Sequence, residues 1–222
     1  MLSPQHIKSI FGNARAIIID DHFVYAKKET GWFHGYDYVN KDAIYPHTNY
    51  VKILCEEIAL YFAGKDVQVV VGPTVGGVGL SQWIAYKLFP ALAVYADEED
   101  VLVDGKKIGT QRVIKRGYDK HVKGKRCLIV EDVINSGITV VKTRDAVLAA
   151  GGWVVGVGCL CNRSGGKVTA QTLCVPELFS LLDVDMKMFP EDECPICKER
   201  GPKSVRTDLG KGAEFLTRKG LV

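Results

Sequence analysis

Two adjacent carboxylates, Glu131 and Asp132, stand between four apolar residues and a run of small ones. Residues 127–139 read Cys-Leu-Ile-Val-Glu-Asp-Val-Ile-Asn-Ser-Gly-Ile-Thr. The apolar residues predict a buried strand, and the change of pattern at Asn135 predicts a loop that opens a helix near Thr139. In an open α/β sheet, ligands bind outside the carboxyl ends of the strands. A loop of small residues entering a helix presents backbone N–H groups and the positive end of the helix dipole, which suits a phosphate. Two carboxylates beside a phosphate nest repel it unless the ligand also carries hydroxyls, for which ionised carboxylates are pure acceptors. A sugar phosphate satisfies both halves. The plainer alternative is an ordinary strand–turn–helix with a carboxylate cap.

A second loop, Gly72-Pro73-Thr74-Val75-Gly76-Gly77, follows an apolar run and precedes a helical pattern. Its glycines allow close approach of backbone N–H groups to an anion, although a plain turn uses glycine too. Nine cations and one acid, Asp119, fill the window 106–126, just after Asp97-Glu98-Glu99-Asp100. They read either as a solvated hairpin or as a lid that closes over an anionic ligand. Arg112, Lys115 and Arg116 are the candidates, because they stand together before Gly117. Cys194-Pro195-Ile196-Cys197 is a Cys-x-x-Cys pair, which would supply only half of the four ligands a zinc site needs. The other ligands would come from Cys174, a histidine or a second subunit, and a tether in the tail is the plainer reading.

The run 127–139 resembles the 5-phosphoribosyl-1-pyrophosphate (PRPP) motif of the type I phosphoribosyltransferases. The resemblance implies a Rossmann-like α/β fold, with a mostly parallel central sheet flanked by helices, a small N-terminal hood and a Cys-containing C-terminal tail. It implies that Glu131 and Asp132 hold the ribose hydroxyls and act in catalysis. Asn135, Ser136, Gly137, Ile138 and Thr139 would cradle the 5′-phosphate. Thr74, Val75, Gly76 and Gly77 would form the pyrophosphate loop, with Arg112 as a further PRPP ligand and Lys115 and Arg116 as catalytic lid cations. Many members have Thr-Thr-Gly-Gly where this chain has Asn-Ser-Gly-Ile, and some carry a lysine where Gly76 stands. His34 to Asp42 is similar to the hood segment of the orotate-type enzymes, and Cys161 to Gly166 to their base-side turn. By that likeness Tyr38, Lys41 and Arg163 would bind the base, since a guanidinium suits a planar carboxylate. The orotate-type Arg-Lys pair and Lys-x-His-Gly lid pattern are missing. The implied reaction is transfer from PRPP to orotate, with Mg²⁺ brought by PRPP and Asp132 as a candidate protein ligand for it, in a homodimer. Transfer to a purine or uracil, or PRPP sensing without turnover, are the alternatives.

The elements that must position these residues can be read from pattern. Short helices are expected at 4–11 and a longer one from Thr48 with Val51, Leu54, Cys55, Ile58 and Phe62 on one face. Strands are expected at 67–71, 91–96, 127–131 and 153–160, helices between Gly77 and Leu88 and over 139–150, and a hairpin turn at Asp104-Gly105. Residues 16–39 read as short strands and turns. Strands alternating with helices argue for a parallel, doubly wound sheet. The chain divides into a hood at 1–45, a core at 46–188 whose residues 97–125 form the lid, and a tail at 189–222 with little core-forming pattern. At 222 residues, 47% hydrophobic and 25% charged, the chain is an ordinary globular protein. A net charge of +3 does not argue for nucleic acid. No apolar stretch is long enough to span a membrane, and no signal peptide is evident. Seven cysteines, an odd number mostly within apolar elements, fit reduced thiols in a cytoplasmic protein.

Overall fold

The computed structural model describes residues 1–25, 27 and 30–221, so part of the 16–39 stretch and the final residue lie outside the described residues. Two units emerge: Met1–Lys8 with Thr48–Val184 (unit 1), and Ser9–His47 with Asp185–Val222 (unit 2). Helix α1 (Pro4–Asn13) begins in the first and ends in the second.

Unit 1 is built on a six-stranded sheet. In chain order its elements are α2 (Thr48–Phe62), β5 (Val69–Pro73), α3 (Gly76–Lys87), β6 (Leu92–Val103), β7 (Lys106–Val113), α4 (Asp119–Val122), β8 (Arg126–Ile134), α5 (Ile138–Ala149), β9 (Trp153–Asn162), α6 (Ala170–Leu173) and β10 (Leu178–Asp183). The numbering leaves β1 to β4 to unit 2. The sheet order is β10-β9-β8-β5-β6-β7, parallel throughout except for the antiparallel β7. Its central strands are apolar on both faces because helices cover both. Helices α2 and α3 pack on one face and α5 on the other. On the α5 face Val69, Val71, Ile129, Val157 and Cys159 meet Val140 and Val147. On the other, β9 carries glycine where α2 comes closest. A Cβ on Gly156 would lie 2.5 Å from the Phe62 ring, and one on Gly158 2.6 Å from Ile58.

Strand order reverses beside β5, which has β6 on one side and β8 on the other. That is the switch point at which a doubly wound sheet opens a crevice. Asp104 and Gly105 take positive φ values of 50° and 74° and turn the β6–β7 hairpin as expected. The structure extends the expected elements: β6 runs on through the acidic stretch to Val103, because pairing with β7 satisfies its backbone.

Unit 2 contains β1 (Ile17–Ile18) paired with β4 (Tyr38–Val39), and β2 (Phe23–Val24), β3 (Phe33–Gly35) and β11 (Phe189–Pro190) in an antiparallel sheet of order β11-β3-β2. Helices α7 (Pro195–Arg200) and α8 (Gly212–Arg218) follow. The tail therefore has a core after all: Ile196, Val205 and Phe215 are buried, the last two against Val24 of β2. The sequence hid this because each tail helix contributes only one or two apolar residues.

Candidate functional site

The phosphate-loop residues lie at the carboxyl end of β8. Glu131 and Asp132 are the sixth and seventh of its nine residues, and the strand continues past them to Ile134. Both are buried, at 7% and 5% exposure. Glu131 Oε1 accepts the Asp132 N–H at 3.1 Å, and Asp132 Oδ1 accepts the Val133 N–H at 2.6 Å. These bonds fix the carboxylates against their own backbone. Asn135, Ser136 and Gly137 then turn the chain into α5, whose first N–H groups have no intrahelical acceptor. Gly137 is required there: its φ is 77°, and a Cβ would lie 2.8 Å from Leu173. A cavity of about 90 Å³ over the turn is lined by Glu131 and by Asn135 to Val140 among others. At about 30 Å³ per water it has the capacity for a group of phosphate size.

The Gly72–Gly77 loop leaves the neighbouring strand, β5, at the same end of the sheet. Its two outer glycines are locked together, since a Cβ on Gly72 would meet the Gly77 carbonyl oxygen at 2.0 Å. A Cβ on Gly77 would meet the Val130 carbonyl of β8 at 2.8 Å. Thr74 N–H donates to Ala96 of β6 at 3.0 Å. The Thr74–Val75 peptide is cis, and the Val75 side chain is exposed.

Arg112 of β7 reaches this loop. Its Nη1 donates to Thr74 Oγ1 at 2.8 Å, and its side chain is 8% exposed beside Glu98 at 3.5 Å. Among the described residues its buried Nε has no acceptor. Lys115 and Arg116 are paired on the same hairpin, with Glu99 at 2.6 Å and Asp97 at 3.2 Å, and Arg116 also lies over the Tyr95 ring. Lys142 of α5 donates to Thr110 at 2.7 Å and ties the hairpin to the helix behind the phosphate turn.

Arg163 follows β9, the next strand along. Its N–H donates to Ile134 O at 2.8 Å, placing it directly beside the end of β8. Asn162, which sequence reasoning passed over, organises this turn. Its amide donates to Val168 O and its oxygen accepts the Ser164 N–H, both at 3.1 Å. The pattern Asn-x-Ser after a buried strand was the available sign. Unit 1 thus gathers Thr74–Gly77, Arg112, Glu131–Thr139 and Arg163 around the ends of β5, β8 and β9. Tyr38 and Lys41 belong to unit 2: Tyr38 stacks on Phe23 with ring centroids 5.1 Å apart, and Lys41 lies 3.9 Å from Asp42.

Cys194 and Cys197 also belong to unit 2, where they meet His22 and His34, residues the sequence did not single out. All four donor atoms lie within 4.8 Å of one another and form a group able to hold a metal ion. Cys174 is exposed and is not among them. No helix among the described residues is long and apolar enough to cross a membrane.

Comparison with known proteins gives a consistent set. A model of the phosphoribosyl transferase domain matches residues 41–194. An orotate phosphoribosyltransferase of Caldanaerobacter subterraneus subsp. tengcongensis is 33% identical over 169 residues, 76% of this chain and 81% of the relative. One of Pelotomaculum thermopropionicum is 30% identical over 201 residues, 90% of this chain and 95% of the relative. The crystal structure of orotate phosphoribosyltransferase from Aeropyrum pernix shares the fold, with a TM-score of 0.59 at 18% identity over 80% of this chain and 93% of that one.

Proposed function

The chain belongs to the phosphoribosyltransferase family, and from that premise we propose that it transfers the 5-phosphoribosyl group of PRPP to orotate, giving orotidine 5′-monophosphate and pyrophosphate. The observation that carries the reading is the buried Glu131–Asp132 pair standing directly before the phosphate turn. The orotate enzymes similar along most of their length favour this base.

The bond that breaks joins the anomeric carbon to the pyrophosphate oxygen, and positive charge develops on the ribose ring. The two carboxylates, fixed by their own backbone, accept hydrogen bonds from the ribose hydroxyls and stabilise that charge. The turn from Asn135 to Thr139 holds the 5′-phosphate and so positions the sugar. On the leaving-group side, the 74–77 backbone and Arg112 supply donors for the pyrophosphate; the buried Nε of Arg112 is the group such an anion would satisfy. Lys115 and Arg116 exchange their pairing with Glu99 and Asp97 for the pyrophosphate as the hairpin closes and excludes water. Arg163 binds the orotate carboxylate through both ends of its guanidinium.

The hard oxygen donors Asp132 and Glu131 are of the kind Mg²⁺ takes, and Asp132 would hold it together with PRPP. Mg²⁺ bound with PRPP supplies charge neutralisation at the pyrophosphate. Softer donors at Cys194 and Cys197 select Zn²⁺ instead. We assign the protein to the cytoplasm, supported by seven unpaired thiols. A homodimer is supported by exposed Trp83, Tyr86, Phe89 and Leu92, grouped within ten residues at the end of α3.

The test is a steady-state assay with PRPP, Mg²⁺ and a panel of orotate, uracil, hypoxanthine, guanine, adenine and xanthine, following pyrophosphate release. Turnover with orotate, and its loss in Arg163→Ala with PRPP binding retained, is the expected result. Turnover with a different base alone would overturn the base assignment. PRPP binding without turnover on any base would overturn the enzyme.

A further inference from the structure

We infer that His22, His34, Cys194 and Cys197 bind one zinc ion in a closed tetrahedral site that fastens the β2–β3 strands to the start of α7. The inference stands on the geometry of unit 2 and does not depend on the transfer reaction.

The spacing of the donors is the first observation. Cys194 Sγ lies 3.6 Å from His22 Nε2, and Cys197 Sγ lies 3.7 Å from His22 Nε2 and 3.5 Å from His34 Nδ1. With Zn–S near 2.3 Å and Zn–N of about 2.0–2.1 Å, a tetrahedral site has S···N edges of roughly 3.5–3.6 Å. The two imidazole nitrogens stand closer, at 2.9 Å. His22, His34 and Cys194 are at most 1% exposed, so these are interior donors.

The second observation is which way the lone pairs point. The Ser204 hydroxyl donates to Gly201 O at 2.7 Å, so its oxygen accepts from His22 Nδ1, also at 2.7 Å. The His22 proton is therefore on Nδ1, and the Nε2 lone pair faces the sulfurs. On the other ring, His34 Nε2 faces the Glu191 carboxylate at 3.7 Å and has no hydrogen-bond acceptor among the described residues. Glu191 is held in place by Arg218 at 2.6 Å and Lys219 at 2.8 Å. A proton on Nε2, directed at that carboxylate, leaves the His34 Nδ1 lone pair facing His22 Nε2. Two buried lone pairs aimed at each other with two sulfurs alongside fit a cation between them. A carboxylate behind one ligating histidine and a hydroxyl behind the other are the outer partners such a site uses to fix its rings.

The backbone is shaped to the same end. Cys197 N–H donates to Cys194 Sγ at 3.4 Å, and Cys194 caps the first turn of α7 with Pro195 following. Arg206 N–H donates to His22 O at 2.8 Å, which anchors the ligand that opens β2. Zinc binding by these groups releases two thiol protons, and two thiolates balance the ion, so the filled site is neutral. All four positions are taken by protein, which leaves no place for substrate or water and makes the site structural.

The test uses the full chain, untagged and purified without chelator. Metal analysis is expected to give about one zinc per chain, reduced at least tenfold in Cys197→Ser and in His34→Ala. Because either variant may misfold, wild-type protein is also stripped and reloaded with Co²⁺ alone. Intense visible bands of a tetrahedral ion with thiolate ligands support the site. The inference is overturned by wild-type protein that contains no zinc and takes up no cobalt, by an octahedral cobalt spectrum, or by a Cys194–Cys197 disulfide in the purified protein.

Discussion

Asp132 and Glu131 show why a residue's type and its burial have to be read together. A carboxylate pair on a surface turn would be ordinary, whereas two nearly buried carboxylates in sequence at a strand end, beside a turn of small residues, fit a hydroxyl-bearing ligand. Their isosteric amides test this. Glu131→Gln and Asp132→Asn each replace a charge-assisted hydrogen bond to ribose by a neutral one. The difference between a bond to a charged group and a neutral one is about 1–1.5 kcal/mol, so kcat/KM for PRPP falls about five- to thirteen-fold. Activity within twofold of wild type in both variants would show that the pair does not hold the ribose. At this scale the pair was legible in the sequence, since its thirteen-residue context is continuous in the chain. The contact between Arg112 and Thr74 was not, because it joins residues 38 apart through the antiparallel return of β7.

At the scale of elements, the strand–loop–helix units of unit 1 were readable because each is local: a buried apolar run, a glycine turn, then helical spacing. What the sequence left open was which glycines the fold needs. Helix α3 contains a contrast that decides this. A Cβ on Gly77 would meet the Pro73 ring at 2.7 Å and the Val130 carbonyl at 2.8 Å, whereas one on Gly79 meets nothing within 4 Å. Gly77→Ala forces the first turn of α3 away from β8, at a cost of about 1–3 kcal/mol. That corresponds to a fall of roughly 2–4 °C in Tm per kcal/mol for a chain of this size. Gly79→Ala, in an open helical position, stabilises by about 0.4–1 kcal/mol through the unfolded chain and better helix propensity. Equal effects of the two substitutions, measured by thermal unfolding, would contradict this packing of the loop. The same reasoning explains why the tail was misread. Helices α7 and α8 have six and seven residues, too few to show a periodic face, and their apolar partners Val24 and Trp32 come from the other end of the chain.

Over the whole molecule, the seven thiols report on both units at once. Cys55, Cys127, Cys159 and Cys161 are buried in unit 1, and burial pushes the Cys55 and Cys161 thiols up to about 12 and Cys127 to about 11, with Cys159 raised likewise. Thiolate is the reactive form, so these four are inert in the folded protein. Cys174 alone is exposed. Cys194 and Cys197 belong to unit 2, which has under about 80 residues, a size at which an apolar core alone rarely supplies more than 3–5 kcal/mol. A metal that holds both cysteines makes them unreactive and supports this unit in particular. Titration of the native protein with a disulfide reagent is therefore expected to show one fast thiol, lost in Cys174→Ser, and a strong zinc chelator to release two more. Hydrogen exchange after chelation should rise in β2, β3 and α7 while β5, β8 and β9 stay protected, because the sheet of unit 1 owes nothing to the ion. Two further thiols that react at full rate before any chelator is added would mean that hydrogen bonding and packing alone hold unit 2 together.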